Sequence, residues 1–82
     1  MPLQDLRSVS KVIGTKQVKK AIAKKQVKKV YIASDAEPHI IRPIQEACEE
    51  NQIEYEMVES MEMLGRVSGI DVGSAAVAIL ND

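Results

Sequence analysis

The chain contains no tryptophan and no phenylalanine, and its two tyrosines are its whole aromatic complement. Domains that hold single strands by stacking bases on aromatic platforms would lack their main tool here. The single cysteine, Cys48, excludes an internal disulfide, and the opening residues MPLQDLRS lack the apolar stretch of a secretion signal. Both point to a reducing, cytoplasmic setting. A single histidine, His39, is too little for a Cys/His metal cluster or a hydrolytic relay. No catalytic residue, metal, cofactor or small-molecule substrate is therefore expected. Apolar runs extend only a few residues, against the roughly 20 needed to cross a bilayer, so no membrane contact is expected.

Acids are nearly missing from the first part of the chain. Residues 1–34 hold nine basic side chains against Asp5 alone, a net +8, whereas residues 35–82 hold Arg42 and Arg66 against eleven acids, a net −9. The overall charge of −1 hides this division, which suggests a basic face turned towards a polyanion. The length of 82 residues suits one domain, residues 1–82. A monomer is expected, although length does not fix the oligomeric state.

Apolar spacing then sets out the elements. Val18, Ala21 and Ile22 recur at helical intervals, which predicts a helix over about 15–25, with Gly14 supplying a permissive backbone and Thr15 capping the first amides. The β-branched run VKKVYIAS (27–34) reads as a strand entering the core at Val30 and Ile32. Pro43 is expected at the first position of the main helix, with 35–42 a turn or short helical piece and Ile44, Ala47 and Cys48 facing inward. IEYEMV (53–58) alternates as a half-buried strand with Ile53, Tyr55 and Met57 on one face. Ser60 caps a short helix MEMLGRV, SGIDVGS forms a loop, and AAVAIL (75–80) is a fully buried strand. Strands alternating with helices imply a three-layer α/β/α sandwich around a central mixed sheet.

Other features have simpler readings. Gly65, Gly69 and Gly73 match neither the dinucleotide nor the phosphate-loop spacing and suit a turn-rich connection. Met57, Met61 and Met63 are expected in the core, as is Cys48.

The lysines of the first helix need closer attention. Lys16, Lys20 and Lys24 fall on one side of the cylinder, with Gln17 at their border and Val18, Ala21 and Ile22 opposite. Like charges four residues apart repel by a few tenths of a kcal/mol, and nothing acidic lies nearby to offset them. Gly14, Thr15 and the free first-turn amides add a second anion-attracting feature. A solvated face and a phosphate-binding face both fit these residues.

The segments IGTKQVKKAI, VYIASDAEP, IQEACEENQIEY and LGRVSGIDVGSAAVAI, in this order and spacing, resemble the kink-turn RNA-binding family of archaeal ribosomal protein L-seven-Ae and eukaryotic L-thirty-e, most of all its short bacterial members. The resemblance runs from about residue 9 to residue 80. It implies an α/β/α sandwich without enzymatic activity that binds a ribosomal or regulatory RNA containing a kink-turn. That element has sheared G·A pairs and a flipped-out nucleotide. By the same resemblance Lys16, Gln17 and Lys20 would face guanine edges, Gly14 and Thr15 would let the backbone approach, and Lys24 would neighbour phosphates. Arg66, Val67, Ser68, Gly69 and Ile70 would surround the flipped nucleotide. Lys16 and Gln17 stand where archaeal and eukaryotic members commonly carry Asn and Glu. Two other readings compete: a protein-binding adaptor using the acidic half, Glu46 to Glu62, and a substrate-recognition module derived from an RNA-modifying enzyme.

Overall fold

Apolar residues on both faces of the strands require helices on both sides of the sheet, and the chain supplies them. The computed structural model describes residues 10–69 and 73–81. Its elements run β1 (Lys11–Ile13), α1 (Thr15–Ala23), β2 (Val27–Ala33), α2 (Pro38–Glu50), β3 (Glu54–Val58), α3 (Met61–Ser68) and β4 (Ala76–Leu80). The strands form one sheet in the order β1-β4-β2-β3, with β2 and β3 parallel and the other pairs antiparallel.

Period-two alternation divides the core into two layers. Val30, Ile32, Ala76 and Ala78 point towards α1 and α2, where Val18, Ile22, Ile44 and Cys48 meet them, all essentially excluded from solvent. Ala33 and Val77 point the other way, onto Leu64 of α3, joined by Val58. Strand β4 is buried through Ala76, Val77 and Ala78, while Ile79 and Leu80 are half-buried rather than fully covered. Burial pushes the Cys48 thiol up to about 11, with the charge of Glu49 adding to it.

Four further expectations need correction. Helix α2 starts at Pro38, not Pro43, and Pro43 lies inside it. Both prolines suit a first helical position, but Pro38 comes first and the apolar face behind it continues through Pro43. The helix accepts the loss of one backbone bond, to the carbonyl of exposed His39. Helix α1 ends at Ala23 and its N-cap is Gly14, with no side-chain cap bond, so Thr15 is the first helical residue and not the cap. Ser68 belongs to α3 rather than to the loop after it. The methionines are not core: Met57, Met61 and Met63 are 39%, 36% and 39% exposed. Met57 lies on the edge strand β3, on the side where Gln45 of α2 meets its sulfur, and Met61 and Met63 lie outside the small α3 layer already filled by Leu64, Val58 and Val77. Ser60 does cap α3, its hydroxyl accepting from the Met63 amide at 3.1 Å.

Helices α1 and α2 end alike. After α1 the amides of Lys25 and Gln26 donate to Ile22 and Ala21; after α2 those of Gln52 and Ile53 donate to Glu49 and Cys48. Each pair of bonds makes a Schellman turn, whose left-handed position ordinarily carries glycine. Here that position is Lys25 (φ 57°) in the first and Gln52 (φ 56°) in the second. A side chain there costs about 1–2 kcal/mol.

Candidate nucleic-acid interface

The site begins at Gly14, where β1 turns into α1. Its φ of 101° and ψ of 145° lie close to a region reserved for glycine. Its amide donates to the carbonyl of Ala76 at 3.0 Å, which ties the start of α1 to the start of β4. The first-turn amides of a helix lack intrahelical partners, and no side chain caps them here. This end of α1 therefore carries free donors and the positive end of the helix dipole.

Beside it the side chains separate by face. Val18, Ala21 and Ile22 are buried, whereas Lys16, Gln17, Lys19, Lys20 and Lys24 are exposed. None of these four lysines has an ion-pair partner among the described residues. Thr15 is half-buried. Lys29 differs. Its Nζ lies 3.3 Å from Glu56 Oε1 and 5.1 Å from the Tyr31 ring centroid. Burial alone would lower its pKa, but the hydrogen bond to Glu56 and the charges nearby outweigh that and hold it above the ordinary lysine value.

The segment after α3 arrives at the same end of the sheet through a chain of hydrogen bonds that the sequence did not suggest. Asp35 Oδ1 accepts from the Met61 amide at 2.8 Å, and the Met61 carbonyl accepts from the Ser74 amide at 3.1 Å. The Ser74 hydroxyl donates to Ala76 O at 2.9 Å, the same oxygen that receives the Gly14 amide. The Ala33 amide closes the end by donating to Ala75 O at 2.9 Å. The only sequence signal for Asp35 is its place just past a strand, a position that also suits any turn. Gly73 lies against Met61, where an added Cβ would come within 3.2 Å of its backbone.

The residues proposed around a flipped nucleotide differ in access. Arg66 is exposed and its Nη2 reaches Glu62 Oε1 at 2.9 Å, an exposed i,i+4 pair of the kind that contributes about 0.3–0.5 kcal/mol and so releases the arginine readily. Gly69 is an exposed left-handed C-cap (φ 83°). Val67 is half-buried against the α3 layer, and Ser68 is only 3% exposed, its Oγ without a hydrogen-bond partner. Ile70 lies outside the described residues. Among the described residues no cluster of three or more metal-ligating side chains occurs, and no helix is long and apolar enough to cross a membrane.

The fold agrees with the comparisons. Residues 4–82 match the model of the ribosomal protein L7Ae/L30e/S12e/Gadd45 family, and the chain belongs to that family. An RNA-binding protein of Caldanaerobacter subterraneus subsp. tengcongensis is 48% identical over 68 residues, 83% of each chain. The large ribosomal subunit protein eL8 of Halobacterium salinarum is 37% identical over 78 residues, 94% of this chain and 63% of that protein. Among solved structures, the Giardia lamblia 15.5kD RNA binding protein superposes with a TM-score of 0.83 at 26% identity, covering 89% of this chain and 62% of that one.

Proposed function

We propose that the chain is a non-enzymatic cytoplasmic RNA-binding protein that recognises and stabilises kink-turns in a ribosomal or regulatory RNA. The observation that carries this reading is the shared acceptor Ala76 O, which holds the uncapped start of α1 and the segment after α3 at one end of the sheet. The names of the family relatives support RNA as the partner.

In this reading α1 enters the RNA by its first turn. Lys16 and Lys20 donate to guanine O6 and N7, Gln17 donates and accepts, and Gly14 and Thr15 bring the backbone amides close. Lys24 meets phosphate. Arg66 and Gly69, with the edge of Val67, Ser68 beneath and Ile70, enclose the flipped nucleotide. Buried Ser68 supports this wall from within rather than touching the base. The RNA samples bent and extended forms, and only the bent form presents guanine edges and extruded base together, so binding shifts the population towards it.

Electrophoretic titration against a kink-turn RNA and against the same RNA with its G·A pairs replaced tests the proposal. The kinked RNA binds at least tenfold more tightly if the reading holds. Equal affinity for the two would remove the specificity.

A further inference from the structure

At the other end of α1, three backbone irregularities meet in one groove. Its cavity, about 380 Å³, is lined by Lys25, Val27, Lys28, Glu50, Asn51, Gln52 and Ile53. Lys25 and Gln52, the only non-glycine residues with positive φ among those described, both line it. The third irregularity is in the sheet. Val27 pairs with Leu80 and Lys29 with Ile79, so Lys28 is an extra residue on β2, a bulge. Bulges re-aim side chains and recur beside functional sites.

The two lysines placed this way are exposed, and neither has an ion-pair partner among the described residues. They outnumber Glu50, the one acid in the lining. The partial negative charge at the end of α1 favours a cation nearby, but Lys24 at the C-cap already supplies it. The dipole does not explain a lysine at the next position, where glycine fits with less strain.

We propose that the α1–β2 turn is a second RNA contact, in which Lys25 and Lys28, with the Gln52 side chain lining the same groove, hold backbone phosphates of a strand running on from the kink. The inference rests on the RNA-binding reading above and extends it to the opposite end of α1, about 13 Å from the first turn at 1.5 Å per residue. Contacts of this kind add affinity and position without reading sequence.

The test measures affinity against salt for the wild type, Lys25→Gly, Lys28→Gln and the double variant, on a kink-turn RNA with long flanking stems and on one trimmed to the kink. The expected result is that the double variant binds the long RNA several-fold more weakly, with the slope of log affinity against log salt reduced by about 0.7–0.9 for each lost phosphate contact. On the trimmed RNA it matches the wild type. Thermal melting separates charge from folding, because Lys25→Gly relieves backbone strain and melts at or above the wild-type temperature. Unchanged affinity and slope on the long RNA overturn the proposal even if kink-turn preference holds. Loss of preference between kinked and disrupted RNA overturns the kink-turn reading instead, and the slopes still decide whether this turn contacts phosphate.

Discussion

The two ends of α1 meet the same backbone requirement with different residues. At its start, φ 101° with ψ 145° falls where a side chain is barely tolerated, and Gly14 stands there. At its end, φ 57° is the milder left-handed well, and a lysine occupies it. The first position gives up a side chain so that amides and neighbouring lysines can come close to a partner. The second keeps one at some cost in stability. Chemistry can remain at a strained position only where the strain is small.

The sharpest way to break this comparison is Gly14→Ala. No atom lies within 4 Å of the added Cβ, so its cost is purely conformational, about 1–3 kcal/mol. Urea denaturation reads it, and an unchanged midpoint would show that the entry to α1 can relax. Next comes Lys20→Ala, expected to weaken kink-turn binding by about 1–3 kcal/mol while leaving stability within about 0.5 kcal/mol. Lys29→Ala, whose side chain is engaged by Glu56 and Tyr31, should cost less in binding. The reverse order in a binding titration would mean that charge density matters and placement does not.

At the other end, Lys25→Gly and Gln52→Gly should each stabilise the fold by about 0.5–1 kcal/mol, the relief of strain exceeding the added freedom of the unfolded chain. A loss of stability in either would show that the side chain supports its turn. A last effect lies in the core between the ends, and only at alkaline pH. Because the folded Cys48 thiol titrates near 11 against an ordinary 9.0, it contributes stability that is complete below about pH 9 and falls as pH rises towards 11. Urea midpoints over that range should fall more steeply for the wild type than for Cys48→Ala; parallel curves would leave the thiol with no part.

Several local readings agree with the structure because their causes are local. Ser60 caps α3 through a bond three residues long, and Gly14 precedes α1 with the positive φ its neighbours require. The lysine face of α1 follows from helical spacing alone. Pro43 misled because two prolines competed for one helix start, and only the packing of the face formed by Ile41, Ile44 and Cys48 keeps the residues before Pro43 helical. Met61 and Met63 misled because spacing cannot report how little room the α3 layer offers, and Met57 because spacing cannot report that its strand lies at the edge of the sheet.

Order of elements from α1 onward, the basic first third and the inward residues of α1 and β2 were determined by the sequence itself, since they depend on periods of 2 and 3.6 and on charge; the three-residue β1 is too short to show a period. Which ends meet was decided only by the tertiary structure. Ala76 O gathers the Gly14 amide and the Ser74 hydroxyl, and the β2 bulge brings Lys28 beside Lys25. Those juxtapositions arise from strand order β1-β4-β2-β3 and from sheet register, and both are set by long-range pairing that no local pattern encodes.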